Sequence, residues 1–482
     1  MCRSKVSPLE RIPEPDGPEE TKKLLLDDLL EQTIGGFGKF QFAVMSLACA
    51  PILCVAIQVM SWTFVASEQI YPGNSSIFSQ WGVEPENRPQ IKATIQAFYF
   101  MGQLVGSYTT GIMGDRYGRK VTMYLSLFIQ SVCGLLLSVA PNWWSFSIMK
   151  FGTGFSQPGL YGIACLYSVE MLGKDHRRLC AIIVAVFYTA GMLLIPLAAY
   201  YIPNQALFHA VLSAPSFLFM LYWWALPESP RWLVAKGRVD EAEDVIKKAA
   251  RINNRDFPKD WQSHLLTPPQ PAKIECSLGV LDLFRTPKMR KRILVSTILW
   301  PTTTMLYYGL TMKADLNGGS LYISYILSTL IELPGIVFIY TLINVLGRRL
   351  LLTISLLFCA GFLLANWALA PYVSNIVLLS LLLTSKAGSK VAAQVTYTHL
   401  PEMMPTLLRT TAVGYASATG RIGAIMASYI TYWMVDTHGI AALIIPFSSF
   451  SLVSALLVQL FLPETYGKSL PDTVEDVENK ED

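Results

Sequence analysis

The chain has 482 residues, of which 52% are hydrophobic and only 15% are charged, and its mean hydropathy is +0.40. Soluble globular proteins carry about 25% charged residues, so this composition excludes an ordinary water-soluble domain. The formal net charge of +4 is small and says little by itself, and no nucleic-acid partner is expected. The N-terminal stretch up to Gly38 is polar, with Pro-rich and acidic runs and no visible cleavable signal peptide.

Twelve apolar stretches follow along the chain, six before and six after a long polar interval. Each is close to the length of about 20 apolar residues that a helix needs to cross a bilayer. They are too long for strands and alternate too weakly for an outer-membrane barrel, so we predict an all-α membrane protein of twelve transmembrane helices. The predicted spans are 41–62, 93–113, 121–139, 144–168, 179–201, 206–226, 292–312, 320–343, 350–370, 374–398, 410–433 and 439–462.

The polar interval divides the chain into two six-helix bundles. The linker is rich in charge and proline, and an amphipathic stretch at 239–250 predicts a short cytoplasmic helix within it. The predicted organisation is a cytoplasmic N-terminal segment (1–40), a first bundle (41–226) with an outer loop at about 63–92, a cytoplasmic linker (227–291), a second bundle (292–462) and a cytoplasmic tail (463–482).

Positive residues predict the orientation of the helices. Lys and Arg concentrate in every second short loop, and positive residues mark the cytoplasmic side of a membrane, so both termini are predicted to be cytoplasmic. The one glycosylation sequon, at Asn74, falls in the first loop that this topology places outside, and it predicts a glycan there. The positive residues in question are Arg116, Arg119, Lys120, Lys174, Arg177, Arg178, Arg348, Arg349 and Arg409.

Three motifs of the first half recur in the second half at nearly one offset. Parallel repeats of six helices imply two bundles with a site between them at mid-membrane, which is reached alternately from each side. The pairs are residues 114–120 with 344–349 (229 residues from Asp115 to Asn344), Glu170 and Arg177 with Glu402 and Arg409 (232 residues), and residues 227–229 with 463–465 (236 residues).

The charged residues of these motifs predict a conformational latch at the cytoplasmic rim. Carboxylate and guanidinium groups placed there can pair and separate as the two bundles move. The alternative is that these charges only fix the topology. Asn344 stands where the first half has Asp115, so the second latch is expected to be weaker. The predicted latch residues are Asp115, Arg116, Arg119, Glu170, Arg177, Arg348, Glu402 and Arg409.

These motifs resemble the major facilitator superfamily and, more narrowly, its organic cation, organic anion and carnitine transporter family (solute carrier family 22). Residues 36–41, 114–120, 227–233 and 462–473 carry the resemblance. The 227–231 and 463–465 motifs also occur in sugar transporters, but those usually show a Gln-Gln pair in helix seven, where this chain reads Pro301 to Tyr308. The outer loop is shorter than in most family members and has no cysteine. The resemblance implies the major facilitator fold, alternating access and the plasma membrane, with an organellar membrane as the alternative.

Ionisable side chains at bilayer depth usually face a cavity or a partner. Glu332, Lys386, Lys390 and Arg421 lie inside predicted spans and are candidate substrate-binding residues, whereas Lys150 is expected to reach the interface. By resemblance, the Glu332 and Arg421 combination matches carnitine carriers, which bind both ends of a zwitterion. The alternative is that Glu332 pairs with a lysine or with Arg421 and is structural. Candidate aromatic residues of the same site are Tyr307, Tyr308 and Tyr188.

The predicted function is transport of small organic ions by alternating access, with zwitterions such as carnitine or organic anions favoured. The alternatives are an organic cation transporter, a sugar-porter-like carrier and a transport-inactive, receptor-like relative. The five histidines lack metal-ligand spacing and no ATP-binding motif is present, so neither an enzyme, a metal nor a cofactor is predicted. Beyond the substrate, the expected partners are membrane lipid and a coupling ion that the sequence leaves open, and the chain is expected to be a monomer.

Overall fold

The computed structural model describes residues 26–72, 76–173, 176–221, 224–258, 261, 280–316, 318–468, 471 and 473–479. These residues form helices joined by short turns, and no β-strand is found among them. The predicted glycosylation site, Asn74, lies outside the described residues.

Twelve long helical rods are present in the described part of the chain. Those of the first half are α1 (Lys39–Cys49, continuing as Ile52–Val65), α2 (Arg88–Tyr117), α3 (Arg119–Leu136), α4 (Trp143–Met171), α5 (Arg177–Tyr201) and α6 (Gln205–Met220). Those of the second half are α7 (Pro287–Met312), α8 (Leu321–Leu330, continuing as Glu332–Leu346), α9 (Arg348–Leu369), α10 (Asn375–Met403), α11 (Thr406–Tyr429, continuing through Ile430–Met434 to Val435–His438) and α12 (Ala441–Phe461).

Hydropathy differs between these rods because some of them have a polar buried face. Among the described residues, six helices are long and apolar enough to cross a membrane, namely α1, α3, α5, α9, α10 and α12. The α4 helix, in contrast, buries Lys150, Thr153 and Gln157 inside the protein. Polar groups at bilayer depth are tolerated where they face protein rather than lipid, so the more polar helices are expected in the interior.

Glycine lets several helices approach one another closely. A Cβ atom added at Gly106 of α2 would lie 2.2 Å from the carbonyl oxygen of Phe155 in α4, and one at Gly154 would lie 2.0 Å from that of Tyr99. In the second half, a Cβ at Gly423 of α11 would lie 2.1 Å from the Pro301 oxygen of α7. Small residues at such crossings permit the backbone contact that holds membrane helices together.

The two halves meet at the end of the molecule where α1 and α11 finish and α2 and α8 begin. Lys92 Nζ lies 3.5 Å from Asp436 Oδ2, and Lys313 Nζ lies 3.0 Å from the other carboxylate oxygen, Asp436 Oδ1. Phe64 packs edge-on against Tyr325 with ring centroids 5.0 Å apart. Since Lys92 and Phe64 belong to the first half and their partners to the second, the structure describes a state that is closed at this end.

The connecting segments carry short helices of their own. The predicted linker helix is present as Val239–Ile252, preceded by Pro230–Ala235. The outer loop contains the short helix Ile77–Gln80, and α6 ends at Met220, before the predicted residue 226. The division of the chain into an N-terminal segment, two bundles, a linker and a tail remains a prediction from the sequence.

Candidate functional site

Arg119 organises a group of charges where the even-numbered helices of the first half end. Its guanidinium lies 2.7 Å from a carboxylate oxygen of Asp115 and 3.1 Å from one of Glu170. The Glu228 carboxylate accepts the backbone N–H of Arg119 at 3.1 Å. Asp115, Arg119, Glu170 and Glu228 are called the first rim cluster below. It ties the α2–α3 turn to the end of α4 and to the segment after α6.

The second half contains the equivalent arrangement. Arg348 Nε lies 3.0 Å from a Glu402 oxygen, and Glu464 accepts the backbone N–H groups of Arg348 and Arg349, both at 2.9 Å. Arg348, Glu402 and Glu464 are called the second rim cluster. Each rim cluster thus joins an arginine at the start of a helix to two carboxylates from later helix ends.

Gly118 and Gly347 make these turns possible. Their φ angles are +109° and +77°, which side chains on L-residues rarely adopt. A Cβ at Gly118 would lie 2.3 Å from Glu228 Oε2, and one at Gly347 would lie 2.7 Å from Glu464 Oε2. The sequence repeat therefore corresponds to a repeated three-dimensional structure.

Glu228 and Glu464 belong to the third repeated motif of the sequence but not to the predicted latch residues. Their different surroundings give them different acidities. Burial raises the pKa of Glu228, even though three backbone N–H groups donate to its carboxylate. Burial also opposes ionisation of Glu464, but the backbone N–H groups of residues 348, 349, 465 and 466 outweigh it and hold the pKa of Glu464 below its usual value. As the pH falls, Glu228 is thus protonated before Glu464.

Three predicted latch residues do not belong to the rim clusters. Two of them have other contacts, and the side chain of the third lies outside the described residues. Arg116 lies over the ring of its neighbour Tyr117, with 5.5 Å to the ring centroid. Arg409 donates to the Met404 and Pro471 carbonyl oxygens. The Arg177 side chain is outside the described residues.

The predicted substrate residues Glu332, Lys386 and Lys390 meet between α8 and α10. Glu332 Oε1 lies 3.1 Å from Lys386 Nζ and Glu332 Oε2 lies 3.0 Å from Lys390 Nζ. The Tyr307 hydroxyl of α7 donates to Glu332 Oε2 at 3.3 Å. These four residues are called the central cluster. The sequence left open whether Glu332 pairs with a lysine or with Arg421. In the structure, the Glu332 carboxylate pairs with the two lysines.

The other predicted aromatic residues, Tyr308 and Tyr188, lie beside the central cluster, which contains Tyr307. Tyr307 and Tyr308 are in edge contact at 5.2 Å, and Tyr308 also contacts Phe100 of the first half at 4.8 Å. Tyr188 of α5 lies within electrostatic range of Tyr308 and Glu332, and its ring meets Tyr161 at 6.0 Å. Aromatic groups from both halves therefore surround this site.

Arg421 lies near these tyrosines but away from the central carboxylate. Its guanidinium interacts with Tyr308 and Tyr397, and Tyr397 is 50% exposed although it lies within the helix bundle, as expected for the wall of an open cavity. In the described part of the chain, Arg421 forms no ion pair with a carboxylate, and its buried Nε has no hydrogen-bond partner. An unsatisfied buried donor of this kind is costly, and an acidic ligand would satisfy it.

The position of the Lys150 side chain differs from the one predicted from the sequence. Instead of reaching the interface, it is fully buried, and its Nζ donates to the Gln58 carbonyl oxygen at 2.7 Å and to Ser61 Oγ at 3.1 Å. These acceptors lie on α1, a helix whose packing against α4 the sequence alone did not show.

Comparison with known proteins agrees with this architecture. Residues 73–476 match the family described as "Sugar (and other) transporter". Solute carrier family 22 member 3 of Mus musculus is 34% identical, over 84% of this chain and 72% of the relative. Human organic cation/carnitine transporter 2 is 31% identical, over 86% of this chain and 73% of the relative. The inward open structure of the xylose transporter XylE from E. coli has a TM-score of 0.68 at 18% identity, covering 91% of this chain and 99% of that one.

The family match over residues 73–476 and the relatives, together with the fold, show a multi-pass membrane transporter of the major facilitator superfamily, and not an enzyme. At 18% identity, the likeness to the xylose transporter shows the fold alone. Within the superfamily, the chain belongs to solute carrier family 22, the organic cation and carnitine transporter group. The predicted fold class and the predicted family are both confirmed.

Proposed function

We propose that this transporter carries small organic anions and zwitterions that bear a carboxylate, through a site formed by the central cluster and Arg421. The observation that carries the proposal is Arg421, a cation whose buried Nε has no hydrogen-bond partner and which forms no ion pair with a carboxylate in the described part of the chain. A guanidinium binds a carboxylate with two parallel hydrogen bonds, a geometry that suits an organic acid.

The charge balance supports the same substrate class. Glu332 is only 3% exposed, and both of its oxygens are held by lysines. The site thus contains one carboxylate, Glu332, and three cations, Lys386, Lys390 and Arg421, which leaves an excess of two positive charges. In a site shielded from water, a substrate carboxylate reduces this excess, whereas a simple cation increases it.

An organic cation transporter is the second candidate, because one of the relatives named above is human organic cation/carnitine transporter 2. The aromatic residues around Tyr308 favour this function, since ring faces attract organic cations. A zwitterion combines both features, with its carboxylate at Arg421 and its cationic end against the rings.

We also propose an orientation and a location. The two rim clusters, with their Lys and Arg residues, face the cytoplasm, where they act as latches that pair and separate during alternating access. The plasma membrane is the proposed location, on the basis of the family and of the sequon at Asn74.

Uptake into cells that express the chain tests the substrate class. Three labelled probes are compared with matched control cells: para-aminohippurate as the anion, carnitine as the zwitterion and tetraethylammonium as the cation. Uptake of hippurate or carnitine above control supports the proposal. Uptake of tetraethylammonium alone contradicts it and favours the cation carrier, and the absence of all three fluxes from protein present at the cell surface favours the receptor-like alternative.

A further inference from the structure

We propose that Lys390 occupies a cation-binding subsite, so that the chain carries its own tethered cation where a substrate cation would otherwise bind. The proposal rests on the function proposed above and names the residue that gives the site its preference for acids. Lys390 is thereby a specificity-determining residue rather than one that contacts the substrate carboxylate.

The surroundings of the Lys390 ammonium are those of a bound organic ammonium ion. Its Nζ lies 3.0 Å from Glu332 Oε2 and 4.8 Å from the centroid of the Tyr307 ring. The Tyr307 hydroxyl donates to the same Glu332 oxygen, so that carboxylate and ring are fixed relative to one another. A cation within about 6 Å of a ring centroid is attracted by the ring face, and here the Glu332 carboxylate adds an ion pair to that attraction.

Lys386 pairs with the same carboxylate but differs from Lys390 in its surroundings, which are those of a buried structural ion pair. It is 1% exposed, its Nζ donates to Ser328 Oγ at 2.7 Å, and it lies farther from the Tyr307 ring, at 6.0 Å. The Lys390 side chain is 21% exposed and therefore reaches Glu332 from the open side of the site. Lys386 suffices to neutralise the buried carboxylate, and Lys390 is in excess.

Two consequences follow for substrates. A cation entering the site has to displace a flexible lysine that is held by an ion pair and a ring contact, and it meets the charge of that lysine at short range. Removal of the lysine leaves the Glu332–Lys386 pair neutral and opens space beside the Tyr307 ring. The altered site then offers a carboxylate and an aromatic face to an organic cation.

The test compares wild-type protein with Lys390→Ala, Lys390→Met and Lys390→Arg, using labelled tetraethylammonium and para-aminohippurate. Lys390→Met removes the charge but keeps most of the apolar stem, and Lys390→Arg keeps the charge as the matched control. We expect tetraethylammonium uptake per surface molecule to rise about tenfold in the Ala and Met variants, as for a gain of about 1.4 kcal/mol in binding. The Arg variant should show no such gain.

A binding measurement on purified protein makes the result independent of flux. Tetraethylammonium should raise the melting temperature of the Ala or Met variant and leave that of wild-type protein unchanged. Ala and Met variants that reach the cell surface and melt cooperatively when purified, but neither take up nor bind tetraethylammonium, would overturn this inference and leave the proposed function intact. Wild-type protein that carries tetraethylammonium and not the acids would overturn the proposed function itself.

Discussion

Arg421 and Glu332 show that the groups next to a charged side chain determine whether it is available to bind substrate. Both lie at bilayer depth, where insertion of a charge costs several kcal/mol. Glu332 is compensated by two lysines within the second half, whereas Arg421 has tyrosines around it and a buried Nε that lacks a partner among the described residues. The two members of the zwitterion pair predicted from the sequence are therefore not equivalent, and Arg421 is the group to which a substrate carboxylate is expected to bind.

Arg421→Ala should reduce uptake of para-aminohippurate at least tenfold, because a hydrogen bond to a charged group is worth about 1.5–3 kcal/mol. Arg421→Lys keeps the charge but loses the two-pronged geometry, so an intermediate loss is expected. Labelled uptake, normalised to surface protein, measures both variants. Unchanged hippurate uptake, or a fall in surface protein that matches the fall in uptake, would assign Arg421 a structural role.

At the scale of elements, the turns that join α2 to α3 and α8 to α9 depend on the absence of a side chain. Gly118 and Gly347 have positive φ angles, and each lies against the carboxylate that accepts the N–H group of the next residue, Glu228 or Glu464. The sequence places glycine at both turns because nearly any other residue would displace the carboxylate and weaken the rim cluster.

Gly118→Ala and Gly347→Ala should each destabilise the protein by about 1–3 kcal/mol, the cost of a strained backbone conformation. The melting temperature of purified protein measures the effect. Gly111→Ala in α2 is the matched control, because a Cβ at Gly111 meets nothing within 4 Å, and it should not lower the melting temperature. Equal effects of all three substitutions would contradict this account of the turns.

For the whole molecule, the contacts between the halves determine which end is open. Lys92 and Asp436 pair across the halves, and Thr63 Oγ1 lies 2.9 Å from the Tyr432 hydroxyl in the same region. Thr63, Tyr432 and Lys92 are buried, whereas the Asp436 side chain is 26% exposed, so solvent weakens its ion pair with Lys92. Because Asp436 also pairs with Lys313, its carboxylate balances two lysines.

Asp436→Asn should shift the protein towards opening at this end. The loss of an ion pair worth about 1 kcal/mol corresponds to a roughly fivefold change in the ratio of open to closed states. A Thr63→Cys reporter in purified protein should react faster with a maleimide when Asp436→Asn is present. Glu68→Gln is the control, because Glu68 pairs with Arg88 of the same half. An unchanged labelling rate with Asp436→Asn would show that the pair does not hold this end closed.

The proposed orientation predicts a glycan at Asn74. Asn74→Gln and Ser76→Ala should each remove a mass that a glycosidase also removes, whereas Ser75→Ala keeps the sequon and should keep the glycan. Gel mobility before and after glycosidase treatment measures all three. A glycan that persists in Asn74→Gln, or its absence from wild-type protein made in a glycosylating cell, would contradict the proposed topology.

The sequence by itself determined the twelve helices, the two-fold repeat and the family, because hydrophobic length and motif spacing are local properties of the chain. It also identified Glu332, Lys386, Lys390 and Arg421 as charges inside the membrane. Only the tertiary structure decided which of them pair, because Glu332 meets the two lysines through the packing of α8 against α10. The burial of Lys150 against α1 was likewise invisible in the sequence, since the partner of a buried charge depends on which helices pack together.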